Sequence, residues 1–164
     1  YADVVEITNR SNLVDSFCSG VIQTGPNWLY CTPTYYAQQL YARAAGSFPV
    51  ELRITGGPPW PLHEPDVAAT LTADGRTLRI YAVNSTPDTR DVTLRLPDSA
   101  TPVRGGTAFV LRDRDEASTA EVINTRDDPR RVALTEQPFT LGGRELPARF
   151  APFSVTLLEL ELGE

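Results

Sequence analysis

The sequence of 164 residues predicts a mainly β protein: an antiparallel β-sandwich preceded by one strand-loop-helix unit. Two observations carry this. The apolar period changes near Ser47 to Pro61, from helical spacing before it to a period of two after it. Beyond that point come short apolar runs separated by turn residues, and one of them alternates strictly. Val92, Leu94 and Leu96 stand against Asp91, Thr93 and Arg95, as in a strand with one wet face.

The front unit opens with "DVVEIT" (3–8), read as a strand, followed by the polar stretch "NRSNLVDSFCSGVIQT" (9–24), read as a loop. A helix comes next. Thr32 suits its N-cap, Pro33 its first position, where a missing N–H costs nothing, and Gly46 its left-handed C-terminal cap. Tyr36, Ala37, Leu40 and Ala44 then share one face, with Tyr41 beside them. Strand, loop and helix in this order make one βα unit, but a parallel strand needs neighbours that the chain does not obviously supply.

The runs after it are "VAATLT" (67–72), "TLRIYAVN" (77–84), "RDVTLRLP" (90–97), "TPVRGGTAFVL" (102–111), "AEVIN" (120–124), "RVALT" (131–135), "PFTLGGRELPARF" (138–150) and "FSVTLLELEL" (153–162). Seven or eight such strands argue for a sandwich. In the last run the alternation slips between Leu157 and Leu158, which predicts either a bulge there or a strand buried on both faces. The expected organisation is residues 1–47 as the βα unit, 48–65 as a proline-rich connector with the first sandwich strand, and 66–164 as the sandwich.

Composition removes several functions. No apolar run approaches the roughly 18 residues of a membrane span. The net charge is −6 and the basic residues, all arginine, alternate with acids, so neither a membrane nor nucleic acid is an expected partner. The first residue is Tyr1 rather than Met, so the N-terminus is expected to be cut or processed, and the compartment stays open. With one histidine and two cysteines, Cys18 and Cys31, no metal site or other cofactor is expected; the cysteines read as free thiols, or alternatively as a disulfide.

Candidate chemistry is sparse. Asp3, Glu6 and Asp15 flank the polar stretch, and glycoside hydrolysis needs two facing carboxyls, but spacing alone is a weak signal among 21 acids. His63, with Glu64 beside it in "PLHEP", is a conceivable base; a surface position in the connector is the plainer reading. Ser11, Ser16, Ser19, Cys18 and Cys31 are possible nucleophiles without a histidine nearby, and "FCSGV" is not the G-x-S-x-G elbow. Trp28, Trp60 and Tyr81 are the aromatics to consider for sugar stacking. Trp60 leads among them, against the alternative that it plugs a seam between packed units.

Four motifs taken together, "ADVVEITNRSNLVDSFCSGVIQT", "LYCTPTYYAQQLYARAAG", "NTRDDPRRV" and "FAPFSVTLLEL", resemble the C-terminal portion of the α-L-arabinofuranosidases of glycoside hydrolase family 51. That family joins a (β/α)8 catalytic barrel to a jelly-roll β-sandwich. The resemblance implies that "DVVEIT" is the eighth barrel strand, that 9–24 is the loop after it on the catalytic face, and that the helix is the eighth barrel helix. It implies substrate-side roles for Asn12 and Asn9, Asn12 being the better match. It carries neither of the family's catalytic glutamates onto this sequence, and Glu6 matches neither.

The expected function is therefore that of a C-terminal piece of an arabinofuranosidase-like hydrolase, not catalytic alone. Its partners would be arabinan or arabinoxylan, and either the missing barrel or a homo-oligomer contact through residues 1–46. The alternatives are a free-standing carbohydrate-binding module, and an autonomous hydrolase with a new site built from Glu6, Asp15, Asp3 or His63. If the barrel is the partner, the barrel-facing side of residues 1–46 should be apolar and exposed.

Overall fold

The computed structural model describes residues 5, 7–9, 12–16, 20–45, 47–56, 65–115, 119–140 and 142–163. Strands Ile22–Gly25 (β1) and Trp28–Cys31 (β2) form a hairpin, and helix Pro33–Ala42 (α1) follows. The remaining strands are Ser47–Val50 (β3), Asp66–Thr72 (β4), Thr77–Asn84 (β5), Arg90–Arg95 (β6), Val103–Asp113 (β7), Val132–Phe139 (β8), Glu145–Phe150 (β9) and Ser154–Leu162 (β10). One sheet has the order β3-β4-β5-β10-β7-β8, and a two-stranded ribbon pairs β6 with β9. Every ladder between these strands is antiparallel. The chain is thus mainly β, a sandwich with one helix.

The large sheet is covered on both faces. On the inner face Ile80, Leu158 and Leu160 pack against Leu146 and Phe150 of β9, with Val92 and Leu94 of β6 alongside. On the other face Leu40 of α1 meets Tyr81, Phe109, Leu111 and Leu157, with Tyr36, Ala37 and Ala44 at the margin. The expected helical stripe is therefore spent on the sandwich. Leu40 is fully buried, which stabilises by about 1.5–3 kcal/mol for a side chain of this size.

Strand β10 lies between β5 and β7 and is sandwiched from above and below. Leu157 belongs to the helix-side core and Leu158 to the ribbon-side core, so the slip in hydrophobic alternation records burial on two faces. The register irregularity of this strand lies elsewhere, between Glu161 and Leu162. Past the end of the helix the same face turns polar: Glu159 meets Arg79 at 2.8 Å and Arg43 at 3.3 Å, and Arg43 also lies over the Phe109 ring. Gly106 is required here, since a Cβ would come within 2.1 Å of the Glu159 carbonyl.

Three expectations need correction. "AEVIN" is not a strand, because the Asn124 side chain rather than a ladder satisfies the backbone there. The run 138–150 is split between β8 and β9 at Gly143, whose φ of 115 lets the chain cross from the sheet to the ribbon. Val5, Ile7 and Thr8, expected in a barrel strand, carry no ladder, for a parallel strand without neighbours has no partners for its backbone.

At the helix start Thr32 occupies the N-cap, but its hydroxyl donates to the Val21 carbonyl at 3.1 Å and does not cap the helix. Gly46 lies outside the described residues. At the described end the Arg43 and Ala44 N–H groups reach the Leu40 and Tyr41 carbonyls, tightening the last turn. No helix among the described residues is long and apolar enough to cross a membrane.

Candidate functional site

The polar stretch at the front runs into a hairpin, whose first strand it supplies from Ile22, and residues 12–16 lie against that hairpin. The sequence reading missed the hairpin, although "GPN" between two short runs is its signal. Pro26 cannot take a positive φ and Asn27 does not, so the turn is not one of the primed forms usual in two-residue hairpins. The Leu13 carbonyl accepts from the Val21 and Ile22 N–H groups at 3.1 Å, and the Asp15 N–H returns a bond to Ile22 at 3.0 Å. Asn12 and Asp15 take left-handed conformations, φ 60 and 42, which Asn and Asp tolerate better than most residues. Gly20 closes the loop, where a Cβ would meet the backbone of Asp15 and Ser16.

Asp15 has a definite task in this arrangement. Its carboxylate accepts from the Thr24 N–H at 2.6 Å and from the Thr24 hydroxyl, fastening the loop to β1. A carboxylate so engaged holds structure. Of its expected companions, Asp3 and Glu6 lie outside the described residues, as do Cys18, Trp60 and His63. Asn9 and Asn12 are exposed, and Cys31 is a free, half-buried thiol. Tyr81, considered for sugar stacking, belongs to the core, where burial pushes its phenol above the ordinary tyrosine value. It stacks on Tyr41 at 4.8 Å.

Two aromatics do gather beside the loop. Trp28 and Tyr30 stack at 5.8 Å on β2, with the indole laid across Gly25. Next to them Leu29 is 63% exposed, and Val5, Ile7, Leu13 and Val14 are exposed as well. The described part of the front unit therefore displays several apolar side chains to solvent.

The seam between this unit and the sandwich is closed by Asn124, which is 2% exposed. Its amide donates to the Cys31 and Val132 carbonyls, both at 2.9 Å, and its oxygen accepts the Val132 N–H at 2.7 Å. The motif "NTRDDPRRV" is thus a clasp, continued by the bidentate pair of Arg114 with Asp128. A cavity of about 260 Å³ lies nearby, between Pro33, Val83, Leu111, Val122, Val132 and Val155. Among the described residues that line it the one carboxylate, Asp113, is engaged by Arg131 at 3.3 Å. A single engaged carboxylate is not the facing pair that glycoside hydrolysis uses. Among the described residues no group of three or more His, Cys, Asp and Glu could hold a metal ion.

No protein-family model matches the sequence, and no curated protein matches it. Solved structures do. The α-L-arabinofuranosidase of Thermotoga maritima, in its arabinose complex, superposes with a TM-score of 0.74 at 25% identity, over 98% of this chain and 35% of that one. The family 51 α-L-arabinofuranosidase of Thermotoga petrophila RKU-1 gives 0.73, again at 25% identity and with the same coverage. The arabinose-bound MgGH51 α-L-arabinofuranosidase gives 0.79 over 99% of this chain and 25% of that one; at 16% identity it speaks for the fold alone. This chain therefore spans about a third or less of the structures it matches. Over nearly its whole length it is similar to one portion of a glycoside hydrolase family 51 α-L-arabinofuranosidase, as a C-terminal fragment of such an enzyme would be.

Proposed function

We propose that this chain is the C-terminal portion of an arabinofuranosidase-like glycoside hydrolase acting on arabinose-containing polysaccharide, and that it serves there as scaffold and site wall. The observation that carries this reading is the match of 98% of the chain to 35% of the Thermotoga maritima enzyme. In this reading residues 1–47 are the last βα unit of the barrel, 48–65 the connector with the first sandwich strand, and 66–164 the sandwich. The exposed Val5, Ile7, Leu13, Val14 and Leu29 support it, since apolar side chains exposed within one short unit suit a packing partner.

The loop then supplies substrate-side groups, Asn12 and Asn9, held in place by the Asp15–Thr24 fastening. Trp60 is the remaining candidate for contact with sugar. The facing carboxyls that break the glycosidic bond belong to the rest of the enzyme, so the chain alone is a partner in the reaction and does not carry it out. The test is hydrolysis of 4-nitrophenyl α-L-arabinofuranoside by the purified chain, with affinity electrophoresis on arabinoxylan beside it. No turnover above buffer is expected. Saturable turnover overturns the reading, and retention on arabinoxylan that Trp60→Ala abolishes replaces it with a binding module.

A further inference from the structure

An aspartate followed by glycine is the step at which a main chain most readily reacts with itself. The side-chain carboxyl can close a five-membered ring on the next amide nitrogen, and glycine has no side chain to shield that nitrogen. The sequence contains one such step, Asp74–Gly75, and none of its asparagines precedes a glycine. It lies at the tip of the β4–β5 hairpin, where residues 73–76 are exposed. Gly75 takes a φ of 71, and a Cβ placed on it would meet no described atom within 4 Å. Solvent and room for reaction are both at hand.

Both reacting groups are nevertheless occupied, and by the same residue. The Thr72 hydroxyl accepts the Thr77 N–H at 3.0 Å and donates to the Asp74 carboxylate at 2.6 Å, a nearer and more charged acceptor than the Thr77 carbonyl at 3.3 Å. The Thr72 carbonyl accepts the Gly75 N–H at 2.8 Å, which closes the turn. The Arg76 N–H adds a second bond to the same carboxylate oxygen, at 3.1 Å. Electrophile and nucleophile are thus tied by different atoms to one strand end, beside Leu71, which β4 pairs with Leu78 of β5.

The other reactive steps differ in kind. Asn84, before Ser85, is 1% exposed and gives its amide to the Asp88, Phe150 and Ala151 carbonyls. Asp15, before Ser16, is fastened to Thr24. Asp98, before Ser99, is exposed between β6 and β7, remote in sequence from Thr72, and serves as an internal reference.

We propose that Asp74 is a site of spontaneous isoaspartate formation that Thr72 holds in check. When the turn opens, the Gly75 nitrogen attacks the protonated Asp74 carboxyl: the N–Cγ bond forms, a Cγ–O bond breaks, and the amide hydrogen leaves with the hydroxyl as water. A water molecule then adds to the main-chain carbonyl of Asp74 in the resulting succinimide and breaks its bond to nitrogen, so that the chain runs on through the side-chain carbon. Mass is conserved over the two steps. The main chain gains one carbon in the turn that sets Leu71 opposite Leu78, and β4 and β5 lose the connection that fixes their register. The closed turn opposes the first step twice, since it keeps the carboxyl ionised, the unreactive form, and keeps the amide hydrogen engaged. The inference concerns the hairpin alone and is independent of the hydrolase reading.

The test is incubation of the 164-residue chain at slightly acid pH, with isoaspartate at each position measured by peptide mapping and fragment-ion mass spectrometry. Thr72→Val should speed its formation at Asp74 about tenfold or more, whereas Thr72→Ser, which keeps the hydroxyl, should stay near the parent rate. The rate at Asp98 should be the same in all three chains. Equal rates at Asp74 in Thr72→Val and the parent overturn the proposal. So does an equal acceleration at Asp98, which would mean general loosening. A second measurement needs no variant: in urea, where the chain is unfolded, Asp74 should isomerise about tenfold faster or more than in the folded chain, and an unchanged rate contradicts the protection.

Discussion

The two ends of this molecule are held in different ways. In the sandwich, β10 is paired on both sides and covered on both faces, so each of its central residues is fixed by ladder and core together. In the front unit, residues 12–16 and 20–31 are held by local hydrogen bonds, one carboxylate fastening and the Asn124 clasp, while Leu13, Val14 and Leu29 face solvent. The first region satisfies itself. The second is well formed but thinly packed, as expected of a segment whose further packing lies with a partner.

Substitutions should separate the regions by magnitude. Phe150→Ala in the inner core should cost about 3–5 kcal/mol in urea unfolding, whereas Leu29→Ala, exposed on the hairpin, should stay within about 0.5 kcal/mol. A large loss at Leu29 would mean that the front is a core in its own right. Asn124→Ala comes next, at about 1–3 kcal/mol, because it strands buried backbone groups of Cys31 and Val132. Limited proteolysis should then cut the front unit before the sandwich; simultaneous loss of both would contradict the role of a clasp.

Asp15→Ala should lower global stability by about 1 kcal/mol or less, yet speed amide exchange at Thr24. An unchanged Thr24 amide would show that the loop is held by something else.

The smallest effect concerns the exposed β4–β5 turn. There the Thr72 hydroxyl, followed by the Arg76 N–H, holds the Asp74 carboxyl below its usual range. A depressed folded-state pKa contributes stability above the unfolded value and loses it as pH falls through the folded one. Thr72→Val should raise the Asp74 titration midpoint toward the ordinary aspartate value in a carboxyl NMR titration, and an unmoved midpoint would exclude the hydroxyl as cause.

Legibility in the sequence follows the same division. Thr77–Asn84 is read residue for residue, and Val92 and Leu94 carry β6, because alternation is a local signal of a half-buried strand. The helical face of Tyr36, Ala37, Leu40 and Ala44 is equally plain, but not its destination, since periodicity tells which side is buried and not against what. The hairpin hides in a stretch whose polar residues, Gln23 and Thr24, serve the loop and not a core. "AEVIN" misleads because Asn124 replaces a ladder with a side chain, which no local pattern announces. The Asp15–Thr24 contact, nine residues apart, is likewise set by tertiary folding.

The most direct measurement is residue-resolved hydrogen exchange of the chain alone. The amides of Ala82, Phe109, Leu157 and Leu158 should exchange only through global unfolding, with those of Asp15, Ile22 and Thr24 opening at a distinctly lower free energy. Equal protection across both sets would contradict the account, for it would make the front unit as self-sufficient as the sandwich.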